Sequence, residues 1–313
     1  MRQFWIHLTI ILAFTVGIAW INDEVNKRLI LASTFNSAYK TYRLFVEQPR
    51  DEIGIFGSSR ASRHFVPPLI SSQAFNYGHD GSWILETLFL AHQAVLNQGK
   101  TPIIINIEPW GFQKTPQIVP TLDYRLAFSN PRVRQCLPKS EQNFKEYCPG
   151  IRFYGMLRQN LANFINSKRS TLEEHVAGAG LILDSRTPQE WEFLNARIKP
   201  SDFTFDESHQ MELEKLYAAT QRPIILVVGP VSPMYRKQYV GQEKLQAFLA
   251  KQASFKNVYP IDLFTTTADW GEAFFKDPTH LNKRGAIRFT QELVEILKRN
   301  EGLKDYFTNT VVQ

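Results

Sequence analysis

Two short stretches near opposite ends of this 313-residue chain carry the hydroxyl, imidazole and carboxylate side chains that nucleophilic chemistry would need. Toward the C-terminus, Asp277-Pro278-Thr279-His280 sets a carboxylate three residues ahead of an imidazole, just before an amphipathic run. A carboxylate at that spacing can accept the imidazole Nδ1–H, fixing the tautomer and leaving Nε2 free to take a proton. Such a base needs a nucleophile from elsewhere. Near the front, Ile53-Gly54-Ile55-Phe56 runs into Gly57-Ser58-Ser59-Arg60. A serine on a strand-to-helix turn presents an exposed hydroxyl beside backbone donors. Ser58 and Ser59 both qualify by position. Serine after glycine is also a common helix cap, so neither stretch says much alone. Their conjunction at the two ends of one pattern of elements carries the weight.

Other candidates for chemistry have plainer readings. His79 and Asp80 can line a pocket or form an ordinary turn pair, His64 reads as a surface residue and His92 as a helix residue. Glu173-Glu174-His175 lacks a second histidine at ligand spacing, so no metal site is expected. No acid pair marks itself out at strand ends, which leaves carboxylate-pair sugar chemistry without support. Trp110 and Phe112 either floor an acyl or sugar site or pack on a sheet. No cofactor is implied.

The elements that must position these residues alternate. Apolar runs at Ile53–Phe56, Ala74–Gly78, Pro102–Ile107, Pro223–Gly229 and Val258–Asp262 read as strands. Helical stripes are expected at Trp83–Asn97, Gln210–Thr220, about 238–251 and Lys283–Lys298. Buried strands alternating with helices indicate an α/β fold with a doubly wound, mainly parallel, five-stranded sheet. Ligands of such sheets bind beyond the carboxyl ends of the strands, where Gly57–Ser59 and Gly78 fall. The interval 111–207 is too long for one crossover and reads as a large insertion, either a lid over the strand ends or packing decoration. It contains an expected helix near Ile151–Asn166. Within it Cys136 and Cys148 either close a short loop in an oxidising space or remain two thiols.

The N-terminus bears on location. Phe4 to Ile21 contains no Asp, Glu, Lys or Arg, and as a helix it reaches roughly 27 Å, enough for a bilayer core. Residues 1–22 thus read as a single transmembrane anchor or as a signal peptide. Arg2 before it and Asp23 and Glu24 after it favour an internal N-terminus and an extracytoplasmic remainder. Residues 23–50 read as a stalk helix or a surface helix, 51–300 as the α/β domain and 301–313 as a tail. The net charge of +6 suits an anionic surface or polymer. There is no Cys/His finger and no RNP-like motif, so no nucleic-acid partner is expected.

Taken in order, Gly57-Ser58-Ser59, Asn76-Tyr77-Gly78 and Asp277-Pro278-Thr279-His280 resemble the motifs of the SGNH (GDSL-like) hydrolase superfamily, over about residues 51–299 apart from the insertion. The membrane-anchored branch, similar to DltD-type and alginate O-acetylation proteins, fits best. The resemblance implies an SGNH, flavodoxin-like sheet with Ser59 as nucleophile, His280 as base and Asp277 orienting it. It places Gly78 and Asn106 in the oxyanion hole. The implied activity is that of an extracytoplasmic esterase or O-acyltransferase on acyl esters of cell-envelope glycans, at the plasma membrane and beside a multi-pass membrane acyltransferase. The chain departs from the pattern after the third strand, where Asn106-Ile107-Glu108-Pro109 replaces Gly-x-Asn-Asp. A carboxylate there would repel an oxyanion, and Glu108 is expected to cap the strand end or pair with Arg60. The alternative is a catalytically inactive SGNH-like binding or assembly subunit of an envelope polysaccharide modification system.

Overall fold

The structure, a computed structural model, describes residues 1–110, 123–136, 148, 150, 152–153, 155–169, 175–177, 179–181, 187–196, 199–200, 202–267 and 269–307. Phe112, Glu173 and Glu174 lie outside the described residues, as do the side chains of Cys136 and His175, and with them the Cys136–Cys148 pairing and the Glu173-Glu174-His175 cluster. The chain forms two compact units, Met1–Glu47 with Leu122–Thr171 and Gln48–Thr121 with Leu172–Gln313. The stretch 111–207, expected as one insertion, therefore contributes to both.

The larger unit is built on β1 (Ile53–Phe56), β2 (Ala74–Asn76) and β3 (Ile103–Ile107), the two-residue strands β4 (His175–Val176) and β5 (Ala179–Gly180), then β6 (Ile224–Val228) and β7 (Val258–Asp262). Five of these make one sheet in the order β2-β1-β3-β6-β7, and every neighbouring pair is parallel. β4 and β5 pair antiparallel on their own. Counting only the five sheet strands, the order is 2-1-3-4-5, which reverses between β1 and β3 and opens a crevice at their carboxyl ends.

Continuous apolar runs make this sheet possible, because both its faces are covered. Ile53, Ile55, Ile104, Ile225, Val227 and Ile261 share a core with Ala286, Phe289, Leu293 and Leu297 of the helix Lys283–Arg299. The alternate residues Ile103, Ile105, Ile224 and Leu226 point the opposite way and are equally buried. Each such side chain contributes about 1.5–3 kcal/mol by leaving water. The helix Ile84–Leu96 packs on β1 and β3, and Glu207–Ala218 packs on that helix. Lys283–Arg299 places an apolar residue every three or four positions. Asn282 caps it by accepting the Gly285 N–H at 3.0 Å. Beyond it Leu303 and Phe307, inside the expected tail, are buried in the same core.

The helix expected at about 238–251 is Gln242–Gln252, and a short helix, Pro233–Lys237, precedes it. Ser232 caps the short helix by accepting the Tyr235 N–H, and Pro233 opens it.

In the smaller unit one helix runs unbroken from Arg2 to Leu31. Its apolar window has a mean hydropathy of 2.0 and none of it is buried, the character of a membrane anchor or a signal sequence. The helix does not stop at residue 22. Past the apolar stretch, Asp23 accepts two hydrogen bonds from Arg152, at 2.7 and 2.8 Å, and Asn26 accepts one from Asn160 at 2.7 Å. Ile30, Ala38, Leu126 and Phe153 form a small core beside these polar pairs, so residues just beyond the apolar stretch are packed.

Candidate active site

Each side chain of the site is held by the element that carries it. β1 ends at Phe56, and Gly57 turns the chain with φ +147°, a conformation that L side chains rarely adopt. The helix Ser59–His64 starts at once, with Ser58 in its N-cap position. Ser58 does not cap this helix: its hydroxyl donates to Glu108 Oε1 at the end of β3. The Ser59 N–H, in the first helical turn, has no acceptor within the helix.

At the other end of the unit, Asp277–His280 lies in a tight loop closed by a bridge between Phe275 and Leu281. The Lys276 N–H donates to His280 O at 2.8 Å. The Ser232 N–H, beyond β6, donates to Pro278 O at 3.0 Å and ties the loop to the segment that follows β6. Asp277 Oδ1 accepts the backbone N–H groups of Thr279 and His280, each at 2.9 Å. The His280 ring nitrogen Nδ1 lies 2.9 and 3.0 Å from the two Asp277 oxygens. Burial acts to raise the Asp277 pKa, but the hydrogen bond and charge of His280 and the two backbone donors hold it down to about 2.

These two ends meet. Ser59 Oγ lies 2.8 Å from His280 Nε2. With Nδ1–H donated to Asp277, Nε2 is the acceptor and the Ser59 hydroxyl the donor. Ser59, His280 and Asp277, expected from the sequence, form one hydrogen-bonded chain.

Gly78 and Asn106, expected beside them, have other partners. The Gly78 N–H donates to Asn76 Oδ1 at 2.9 Å, while Asn76 Nδ2 donates to Ala61 O at 2.7 Å. Asn106 Nδ2 donates to Val227 O at 3.1 Å, and its Oδ1 is buried without a hydrogen-bond partner. Asn106 nevertheless lines a cleft of about 290 Å³ together with Ser58, Ser59, Ser82, Trp83, Glu108 and Trp110.

Compared with protein-family models and with curated proteins, the chain matches none.

Glu108 pairs with Arg60, as expected: Nη1 stands 3.4 Å from Oε2. Arg60 is 1 % exposed; its Nη2 donates to the carbonyls of Gly229 and Pro230, each at 2.7 Å, and its guanidinium lies 5.5 Å from the Trp110 ring centre. Burial lowers its pKa, and Glu108 opposes that shift. Asp80 is exposed and pairs with Arg63, and His92 lies on the helix Ile84–Leu96. His64 overturns its reading as a surface residue. It is fully buried under the helix Lys283–Arg299, against Phe289 and His280. Burial, then the charges of Arg60, His280 and Arg63, push its pKa well below the usual imidazole range. Among the described residues no three His, Cys, Asp or Glu side chains gather as metal ligands would.

Proposed function

We propose that the protein is a serine esterase or O-acyltransferase of the SGNH type, anchored in the plasma membrane and acting outside it on acyl esters of cell-envelope glycans. The observation that carries this reading is the hydrogen-bonded chain from Ser59 through His280 to Asp277. Ser59 Oγ attacks the ester carbonyl while its proton passes to His280 Nε2, and Asp277 stabilises the imidazolium so formed. The tetrahedral oxyanion takes the Ser59 N–H. The Gly78 N–H and the Asn106 amide join it by exchanging Asn76 Oδ1 and Val227 O for the developing charge. His280 then gives its proton to the leaving oxygen, producing an acyl-Ser59 intermediate. Water or a polymer hydroxyl, deprotonated by His280, attacks that ester, and His280 returns the proton to Ser59 Oγ as its bond to the acyl group breaks.

The apolar helix supplies the anchor. Its continuation is held by Arg152 and Asn160, and Gly150 sits against Ala19. Those contacts favour a helix retained in the working protein over one removed as a signal. The cell-envelope polymer and the multi-pass membrane acyl donor follow from the family resemblance.

A binding or assembly subunit is the second reading. It is favoured by the partners already held by Gly78 and Asn106 and by the Glu108 carboxylate in the cleft. The two readings part on one measurement, treatment of the full-length protein in detergent with a fluorophosphonate probe followed by peptide mapping. The esterase reading expects labelling at Ser59 that disappears in His280→Ala. A folded protein that takes no label at Ser59 is the binding subunit.

A further inference from the structure

We infer that His64 is a positioning residue, which fastens the loop bearing His280 to the helix bearing Ser59. His64 closes the helix Ser59–His64, and its Nε2 accepts the backbone N–H of Leu281 at 3.1 Å. Leu281 is the residue after His280, so one imidazole joins the nucleophile's own helix to the backbone of the base. The backbone of His64 is tied from the same side. The Thr290 hydroxyl, 2.8 Å from Ala286 O and 3.3 Å from His64 O, accepts the Val66 N–H at 3.0 Å.

The protonation state follows from the geometry. Only an unprotonated ring nitrogen can accept an N–H, so Nε2 carries the lone pair and Nδ1 carries the proton. That Nδ1 is buried and has no hydrogen-bond partner. An unpaired donor in the interior is costly, and a phenylalanine or leucine would fill this space between Phe289 and the His280 ring without that cost. What the imidazole supplies, and an apolar side chain cannot, is the acceptor for Leu281.

The other ties on the loop run elsewhere: the Ser232 N–H reaches Pro278 from beyond β6, and the Lys276 N–H reaches His280 O within the loop. Among the hydrogen bonds described, the one from Leu281 to His64 alone links the loop backbone directly to the helix of Ser59. Small displacements between a nucleophile and its base cost large factors in rate, so this bond bears on how well His280 Nε2 meets Ser59 Oγ. The catalytic consequence rests on the esterase reading; the fastening itself does not.

The test uses full-length protein in detergent and two variants, His64→Leu, which removes the acceptor, and His64→Gln, whose Oε1 can replace it. Two quantities are followed, hydrogen exchange at the Leu281 amide and the rate at which a fluorophosphonate labels Ser59. The proposal expects both to change at least about tenfold in His64→Leu, exchange faster and labelling slower, with both largely restored in His64→Gln. Unchanged exchange at Leu281 in folded His64→Leu overturns it, and so does faster exchange with labelling at the native rate. If the native protein takes no label, the esterase reading falls while exchange at Leu281 still decides the fastening. Should His64→Leu fail to fold, the ¹⁵N shifts of His64 in the native protein decide, an Nδ1–H tautomer sustaining the proposal and an Nε2–H tautomer ending it.

Discussion

Ser59 Oγ and His280 Nε2 stand 2.8 Å apart although 221 residues separate them in the chain. The adjacent serine faces another way, its hydroxyl donating to Glu108. The two serines that the sequence leaves equivalent are thus distinct in chemistry: one has a base and the other a carboxylate that already holds its hydrogen. Ser59→Ala should lower turnover of a small acyl ester by about 10³-fold or more. Ser58→Ala should lower it by much less. Kinetics on both variants, with circular dichroism to establish folding, check this. A Ser58→Ala protein as inactive as Ser59→Ala would move the nucleophile.

Asp277 gives a prediction about acid. Its carboxyl is held at about 2, below its ordinary value of 3.8. A group whose folded pKa is depressed adds stability that is complete above the unfolded value and is lost as pH falls through the folded one. The window is therefore pH 4 down to 2, and the amount is about 1–2 kcal/mol for a carboxylate still partly open to solvent. Urea denaturation of the native protein and of Asp277→Asn should differ at pH 5 and converge by pH 2. Asp277→Asn should also slow acylation of Ser59, because an amide offers His280 Nδ1 no full negative charge and can enforce the wrong tautomer.

Much of this arrangement is legible in the sequence because it rests on short-range signals. Strands buried on both faces write themselves as unbroken apolar runs, and all five sheet strands fall where those runs are. Gly57 marks the turn and Asn282 the start of the last long helix. What local pattern cannot show is which elements come to lie over which. His64 ends a six-residue helix next to Arg63, too short for a 3.6-residue stripe to reveal an inner face. Its burial is decided by Phe289, 225 positions away, on the helix that folds back across it. The present partners of the expected oxyanion donors are hidden from the sequence for a related reason. Asn106 is read correctly as a residue near the end of a strand, but its amide partner is a carbonyl of β6, set by sheet order rather than by spacing.

Gly78 gives a steric prediction. A Cβ there would stand 2.6 Å from the Ser62 backbone nitrogen and 2.7 Å from Ala61 Cβ. Backbone cannot swing aside as a side chain can, so Gly78→Ala must push against the helix of Ser59. The expected cost is about 1–3 kcal/mol. Each kcal/mol should lower the melting temperature by roughly 2–4 °C for a unit of this size. Thermal melts followed by circular dichroism measure it. A melt at the native temperature would mean that β2 and this helix are not packed as closely as described.

Arg60 is almost wholly buried while its guanidinium serves Glu108 and the carbonyls of Gly229 and Pro230. Removing one member of a buried pair leaves the other charge and its acceptors without compensation. Arg60→Met should therefore destabilise the protein by about 3–5 kcal/mol. If the pair is the reason, the cost depends on Glu108, and Arg60→Met combined with Glu108→Gln should be more stable than Arg60→Met alone. Glu108→Gln by itself should cost less than Arg60→Met, since an amide still accepts from Ser58 and Arg60. The double-mutant cycle from urea denaturation gives the coupling. A coupling near zero would mean that Arg60 acts through the two carbonyls and that the carboxylate in the cleft is held by Ser58 alone.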